Sequence, residues 1–198
     1  MMLVAAVAAE LGPLPGEALG VGPIRAACTL SRLLATRRPS AVLLLGSCGA
    51  YDPAHPLGVA RVSRRLGWAD GAATAGLAYV PAPPPVLEAD LGLRAALGLD
   101  CADVLTLASI CADAALAGRL AATDGPWALE HMEAYGAALA CAEAGVPFAA
   151  VLGVANHVGP GAHAQWLAHR GAAEAAARAA IAAFLAHAGE AAGAADPV

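Results

Sequence analysis

Short apolar runs alternate along the chain with longer segments of small, apolar and polar residues. Runs this short, bounded by Gly and Pro, are typical of buried strands, whereas the longer segments have helical spacing. The pattern predicts strands at 3–8, 18–21, 41–45, 58–65, 104–109 and 146–154, and helices at 22–35, 112–121, 133–144 and 171–188. Because strands alternate with helices and no internal repeat is present, we predict one α/β domain over residues 1–198 with a largely parallel sheet.

The segment 127–166 has the clearest start and stop signals. The helix predicted at 133–144 is followed by Gly and then by Pro, which is a common way to end a helix. The apolar run 146–154 comes next, and at Asn156 the composition changes to Gly, Pro and His. Ligands of open α/β sheets bind outside the carboxyl ends of the strands. Glu133, at the helix start, and Asn156, at the strand end, can therefore converge on one pocket.

Composition narrows the possible partners and locations. Hydrophobic residues make up 59% of the chain and charged residues 14%, which excludes disorder and favours a sheet buried on both faces. The formal net charge of −5 argues against a nucleic-acid partner. The longest stretches without charge, 71–87 and 144–162, are interrupted by Pro and Gly, so no membrane span is predicted. We expect a soluble, cytoplasmic protein.

The motifs that usually hold cofactors are incomplete. The five cysteines form no C-x-x-C pair and are predicted to be small buried residues in a reducing compartment. His157, His163 and His169 recur every six positions, which does not align them on one helical face for a metal. The Gly-Val-Gly at 20–22 lacks the rest of a dinucleotide fingerprint, and the Gly-Ser-Cys-Gly at 46–49 lacks the first Gly of a nucleophile elbow. No metal and no cofactor are predicted.

Several residues of the segment 127–166 match a known signature one by one: Glu130, Met132, Glu133, Asn156, Val158, Pro160 and Trp166. They resemble the nucleosidase and nucleoside phosphorylase superfamily, whose signature helix opens with Met-Glu-Gly/Ala-Ala and whose next strand ends in Ser-Asp or Ser-Asn. The match is most similar to the futalosine hydrolases of menaquinone biosynthesis, with their Glu-x-Met-Glu run, terminal Asn and Val-x-Pro…Trp tail. The resemblance implies a three-layer αβα sandwich around a mostly parallel twisted sheet, and a homodimer.

The resemblance also implies how a nucleoside is held. Glu133 would accept hydrogen bonds from the two ribose hydroxyls, and Met132 would pack against the sugar. Asn156 would bind the base, and a carboxamide that both donates and accepts suits a 6-oxopurine. The 6-aminopurine enzymes of the superfamily have Asp at this position, so Asn156 favours hypoxanthine or guanine over adenine.

Four further residues complete the implied site. Glu10 and Ser47 would position and activate the attacking water, which requires a carboxylate within about 3 Å of it. Gly49 and His131 are expected among the substrate contacts. The predicted activity is hydrolysis of the N-glycosidic bond of a futalosine-like 6-oxopurine nucleoside, with release of hypoxanthine.

Each of these residues also has a plainer interpretation. Glu133 alone could offset the dipole of its helix, Asn156 could form a turn, and Glu10 could be a surface residue in a loop. The first alternative function is a purine nucleoside phosphorylase, although no cluster of arginines around Gly20 or Ser47 is available for phosphate.

The second alternative function is a nucleoside-binding relative without turnover. Leu152 stands where family members usually have an Arg, and Ala114 and Ala115 stand where an aromatic residue usually stacks on the base. The segment 11–19 is also shorter than is usual in the family.

Overall fold

The computed structural model of the chain describes the backbone of residues 1–194 and the side chains of residues 1–187. The strands are β1 (Met2–Ala5), β2 (Glu17–Ala18), β3 (Val42–Ala50), β4 (Ala60–Trp68), β5 (Leu87–Glu88), β6 (Cys101–Thr106), β7 (Leu129–His131) and β8 (Phe148–His157). The helices are α1 (Ala8–Leu11), α2 (Pro23–Thr36), α3 (Gly71–Thr74), α4 (Leu91–Leu97), α5 (Ala114–Ala122), α6 (Ala134–Ala144) and α7 (Ala162–Ala194).

The strands form one mixed sheet in the order β2-β1-β3-β7-β6-β4-β5. Strand β8 pairs with both β3 and β4, so that β3, β7, β6, β4 and β8 form a closed ring. The pairs β3–β7, β4–β5 and β4–β8 are antiparallel, and the other pairs are parallel. The predicted α/β class is confirmed, and five of the eight strand pairs are parallel, but the sheet is mixed and closes into a ring, which was not predicted. The three-layer sandwich stays a prediction.

Strands β3 and β8 lie at the centre of the core. Leu43, Leu44 and Leu45 of β3 and Val151 and Leu152 of β8 are fully buried. Helix α7 packs across both strands, and α6 packs against β3, β4, β6 and β8. A strand covered on both faces has a continuous apolar sequence, which is why both strands were predictable. The long side chain of Leu152 therefore belongs to the core.

Helices α2 and α6 cross at very short distance where Gly136 meets the backbone of Pro23. A β-carbon at position 136 would overlap the carbonyl oxygen of Pro23. Only glycine allows this approach, which fixes the start of α6 against the start of α2. Both helix starts adjoin the cavity described below.

Several predicted boundaries were wrong near the carboxyl ends of the strands. The strand predicted at 3–8 ends at Ala5, and Glu10 lies in the one-turn helix α1. The strand predicted at 41–45 continues through 46–50 to the end of β3, and β7 was not predicted at all. Helix α7 begins at Ala162, nine residues before the predicted start at Gly171. In the part of the chain that the structure describes, no helix is both long and apolar enough to cross a membrane.

Candidate active site

A cavity of about 430 Å³ opens where the carboxyl ends of β1, β3 and β8 meet β7 and the start of α7. It is lined by all seven predicted site residues: Glu10, Ser47, Gly49, His131, Met132, Glu133 and Asn156. Two larger surface cavities lie elsewhere, of about 580 and 500 Å³. Neither contains a buried carboxylate, whereas Glu10, Glu130 and Glu133 of this cavity are all buried. This cavity is therefore the candidate active site.

Gly49 lies between the two sides of the cavity. It pairs with Glu130 of β7 on one side and with Asn156 of β8 on the other. The register of β3 and β8 shifts between Cys48 and Gly49, so that Ala155 is left without a partner in β3. Such bulges redirect side chains next to functional sites. A β-carbon at position 49 would lie 2.9 Å from Asn156 Nδ2, so a larger residue would displace the carboxamide.

The carboxamide of Asn156 is buried, and only part of its hydrogen-bonding capacity is used by the protein. Its Nδ2 donates to the backbone oxygen of His157 at 3.2 Å. Among the described residues, Oδ1 accepts no hydrogen bond, and one N–H of the amide is also left over. Asn156 therefore retains one acceptor and one donor for a ligand.

Glu133 is the N-cap residue of α6, but its side chain makes no capping bond there. Its Oε1 instead accepts a hydrogen bond from the backbone N–H of Gly22, the residue before α2, at 2.7 Å. Burial raises the pKa of Glu133, and the bond from Gly22 partly opposes that increase. One carboxylate oxygen is thus held by the protein, while the side chain as a whole faces the cavity.

His131 is a buried, neutral imidazole with a defined tautomer. Its Nδ1 accepts hydrogen bonds from the backbone N–H groups of Glu133 and Ala134, at 3.1 and 3.0 Å. Burial lowers the pKa of His131 to about 4, although the charge of Glu10 opposes the shift. The proton is therefore on Nε2, and the approach of Glu133 Oε2 to Nδ1 at 3.5 Å is not an ion pair.

Glu10 is also buried, and it lies on the same side of Gly46 as His131. A β-carbon at position 46 would lie 3.1 Å from Glu10 Oε1 and 3.2 Å from His131 Nε2. Burial raises the pKa of Glu10, and Glu133 adds to the increase, whereas His131 and the backbone N–H of Val7 lower it. Glu10 is therefore not a surface residue, as one interpretation of the sequence allowed.

Ser47 belongs to a second wall, made mostly by α7. Its Oγ accepts a hydrogen bond from Trp166 Nε1 at 3.0 Å. The guanidinium of Arg170 lies 4.8 Å from the centre of the Trp166 ring, and His163 stacks against the same indole at 5.8 Å. Arg170 and His163 were not predicted as cavity residues, because the predicted helix began at Gly171. Their spacing of three and four residues from Trp166 is the signal that a correct helix start would have revealed.

Glu130 joins two loops at the rim of the cavity. It accepts hydrogen bonds from the Tyr51 hydroxyl and from the backbone N–H of Cys111, both at 3.1 Å. Burial raises the pKa of Glu130, and the two bonds oppose the shift. Both carboxylate oxygens of Glu130 therefore accept hydrogen bonds from the protein, and the side chain holds the two loops against the cavity. Among the side chains of residues 1–187, no group of His, Cys, Asp or Glu is arranged to hold a metal ion.

Comparison with known families covers nearly the whole chain. The family model described as the phosphorylase superfamily matches residues 6–188. The chain belongs to the phosphorylase superfamily. Every cavity residue named above lies within the matched part. No curated protein matches it in sequence.

Solved structures confirm the superfamily fold. A 5′-methylthioadenosine/S-adenosylhomocysteine nucleosidase from Colwellia psychrerythraea 34H, in complex with adenine, matches with a TM-score of 0.82 and 17% identity, over 93% of each chain. The native futalosine hydrolase of Helicobacter pylori strain 26695 matches with a TM-score of 0.81 and 14% identity, over 93% of this chain and 96% of the other. An S-adenosylhomocysteine nucleosidase from Streptococcus pyogenes matches with a TM-score of 0.80 and 20% identity, over 92% and 94%.

Proposed function

We propose that this protein is a nucleosidase that hydrolyses the N-glycosidic bond of a purine nucleoside. The observation that carries the proposal is the convergence of Glu10, Glu133 and Asn156, from three different elements, on one cavity. Superfamily membership supports it, and so do similar structures whose names are nucleosidase and futalosine hydrolase. The homodimer and the cytoplasmic location that the sequence suggested stay predictions.

In the proposed reaction, the ribose binds beside Glu133 and Met132. The carboxylate of Glu133 accepts from the two ribose hydroxyls while Gly22 holds one of its oxygens in place. Water then attacks C1′ as the bond from C1′ to the base breaks, and its proton passes to the carboxylate of Glu10. The electron pair of the broken bond leaves with the base. Positive charge that develops on the sugar is stabilised by the nearby carboxylates.

We propose that the base is a 6-oxopurine and that the substrate is futalosine-like. The support is Asn156, whose free Oδ1 can accept from N1–H of the base while the remaining N–H donates to O6 or N7. The similar structures include enzymes named for adenine nucleosides as well as a futalosine hydrolase, so their likeness does not separate the two bases. The carboxamide is the feature that favours hypoxanthine.

Phosphorolysis is the second candidate, and Arg170 is the observation in its favour. It is the one cationic side chain among the described residues lining the cavity. However, its guanidinium lies over Trp166, and three buried carboxylates share the cavity, so a phosphate dianion would meet more repulsion than attraction. Arg25 packs against Gly20 but does not line the cavity. These features favour water as the nucleophile.

A relative without turnover was the third possibility, and it depended on Leu152. Leu152 is fully buried in β8 and does not line the cavity. The polar side chains of Glu10 and His131 line the cavity instead. The test is incubation of the protein with futalosine, inosine, adenosine and 5′-methylthioadenosine, with and without phosphate, while free base is measured. Release of base supports the proposal, and binding without release from any of the four would refute it.

A further inference from the structure

Trp166 and Ser47 are joined by a hydrogen bond across the second wall of the cavity. The indole Nε1 of Trp166 donates to Ser47 Oγ at 3.0 Å, and both side chains line the cavity. An indole nitrogen can only donate, so the serine oxygen is the acceptor and its own hydrogen points away from Trp166. Among the described residues, that hydrogen has no acceptor. The hydroxyl of Ser47 can therefore donate to a molecule in the cavity.

The position of Trp166 is set by the packing of α7 on the sheet. Ser47 pairs with Gly153 of β8. A β-carbon at position 153 would overlap the carbonyl oxygen of Ala173, so glycine is what lets α7 approach the strand this closely. Ala173 follows Trp166 by about two helical turns and lies on the same face of the helix. The contact at Gly153 thus holds the face of α7 that carries the indole against the strands beside Ser47.

Neighbouring residues of α7 also hold the indole ring. Arg170 lies 4.8 Å from the ring centre, and His163 stacks at 5.8 Å with an angle of 18° between the two ring planes. Gln165 Oε1 accepts a hydrogen bond from the backbone N–H of His157 at 2.8 Å, which ties the start of α7 to the end of β8. The indole N–H is therefore held in place through its ring and through its helix.

We propose that Trp166 is a positioning residue for Ser47: its N–H occupies one side of the serine oxygen and turns the hydroxyl hydrogen toward the oxygen of the attacking water. The inference rests on the proposed function. The water accepts from Ser47 with one lone pair and attacks C1′ with the other, while the proton that it loses passes to Glu10. The electron pair of the bond from C1′ to the base leaves with the base. Ser47 and Trp166 keep their hydrogens throughout.

The direction of the hydroxyl matters because a serine can both donate and accept. Without the indole donor, the hydroxyl of Ser47 is free to rotate, and a water molecule can donate a hydrogen to it instead of to Glu10. With the indole in place, the water receives a hydrogen bond from Ser47 and keeps its own hydrogens for the carboxylate. The contribution of Trp166 is thus to the orientation of the nucleophile.

A double-mutant cycle tests the pair. Trp166→Phe keeps an aromatic ring beside Arg170 but removes the N–H, and Ser47→Ala removes the hydroxyl. We expect each substitution to lower kcat by about 10-fold and to change KM by less than about 2-fold, because the pair acts on the water rather than on substrate binding. The double variant should lose no more activity than the worse single variant, since the two residues act as one unit.

Trp127→Phe is the matched control for the loss of an indole donor. Trp127 Nε1 also donates within the protein, to the backbone oxygen of Thr123, but Trp127 does not line the cavity. This substitution should leave kcat within about 2-fold of the parent value. If Trp166→Phe keeps the parental kcat, or if the losses of the two single variants multiply in the double variant, the positioning role is wrong. A higher KM with unchanged kcat would assign Trp166 to substrate binding instead.

A second measurement depends neither on turnover nor on the folding of Trp166→Phe. The ¹H–¹⁵N spectrum of the labelled protein contains one indole resonance for each of the three tryptophans, and Trp68→Phe and Trp127→Phe assign that of Trp166 by elimination. Ser47→Ala should move the Trp166 resonance and speed its exchange with solvent, because the N–H loses its acceptor, and should leave the resonance of Trp127 in place. An unmoved Trp166 resonance would overturn the pair.

The two measurements also separate this inference from the proposed function. If the protein cleaves no nucleoside, the proposed function is refuted, and the role of the pair in orienting water is refuted with it. The spectra would still decide whether Trp166 holds the hydroxyl of Ser47. If cleavage occurs but the cycle shows no coupling between the two residues, the proposed function stands and the positioning role alone is refuted.

Discussion

The carboxylate of Glu133 accepts a hydrogen bond from the backbone N–H of Gly22, 2.7 Å away and 111 residues earlier in the chain. The bond joins the start of α6 to the residue before α2, at the place where Gly136 lets the two helices cross closely. Gly22 has φ of 93°, a conformation that favours glycine. The proposed ribose contact therefore depends on helix packing as well as on the glutamate.

Replacing Glu133 with Gln should lower kcat/KM by on the order of 100-fold, because a neutral amide is a weaker acceptor for the ribose hydroxyls in the transition state. The fold should persist, since the amide oxygen can still accept from Gly22. Steady-state kinetics with the best nucleoside, together with a thermal melt, provides the measurement. Glu143→Gln, on the exposed face of the same helix, is the matched control. Unchanged kinetics in Glu133→Gln would show that Glu133 does not bind the ribose and only offsets the dipole of its helix.

The base preference should follow the carboxamide. We expect release of hypoxanthine from inosine to exceed release of adenine from adenosine by at least about 100-fold, because the wrong base leaves buried polar groups unpaired. Asn156→Asp should reduce this ratio by about 10-fold or more. Chromatography of the free bases gives both rates, and the ratio within each variant controls for differences in folding. Equal or faster release of adenine by the parent protein would contradict the 6-oxopurine assignment.

The nucleophile should be water. We expect cleavage in phosphate-free buffer, with a free ribose derivative as the sugar product, because three buried carboxylates disfavour a dianion in the cavity. Mass spectrometry of the sugar product decides the question. Arg170→Ala should leave the reaction independent of phosphate. A ribose 1-phosphate product, or a KM for phosphate that rises in Arg170→Ala, would establish the phosphorylase instead.

Gly136→Ala should destabilise the protein by about 1–3 kcal/mol, because the new methyl group overlaps the carbonyl oxygen of Pro23 and forces the helices apart. It should also lower kcat/KM by disturbing the bond between Glu133 and Gly22. Urea unfolding measures the first effect. Gly118→Ala on α5 is the control, since a β-carbon there meets nothing within 4 Å, and it should stabilise by up to about 1 kcal/mol. Equal effects of the two substitutions would show that the close crossing is unimportant.

Asp103 should make stability depend on pH in strongly acidic solution. It is buried and accepts bonds from Arg64 at 2.6 Å and from Arg65 at 2.8 Å. Burial alone would raise the pKa of Asp103, but these bonds outweigh it and lower the pKa to about 2. The stabilisation is therefore complete above the ordinary pKa of about 4 and is lost as the pH falls through about 2.

We expect Asp103→Asn to cost about 1–2 kcal/mol at pH 7, a figure reduced for the exposure of the arginines, and the difference should shrink between pH 4 and 2. Thermal melts across this range measure it. Asp100→Asn is the control, because Asp100 pairs with Arg61 while 81% exposed and should have little effect. A difference that stays constant with pH would show that the charge of Asp103 is not what stabilises the protein.

The elements that the sequence predicted correctly are those with strong local signals. The central strands have continuous apolar runs, and α6 ends at Ala144, followed by Gly145 and Pro147. The seven predicted site residues line one cavity because carboxyl ends of neighbouring strands meet there. Local sequence pattern and the general topology of α/β sheets were sufficient to predict these strands, the end of α6 and the location of the site.

The parts that were not predicted depend on contacts distant in sequence. Strand β7 has three residues, two of them ionisable, and it exists because β3 and β6 pair with it. The segment 46–50 contains two glycines that indicate a turn, yet pairing with β7 and β8 holds it extended. The bond from Gly22 to Glu133 has no local signature in the sequence, and neither does the approach of His131 and Glu10 to Gly46.

The closure of the sheet also affects how the protein behaves at high concentration. The described strands that remain at its margins are β2 and β5, and each has two residues. An exposed strand recruits the backbone of another molecule only when it presents a row of free N–H and C=O groups. Two residues present almost none, so a chain that is 59% hydrophobic is protected from strand-to-strand aggregation as long as the ring stays intact.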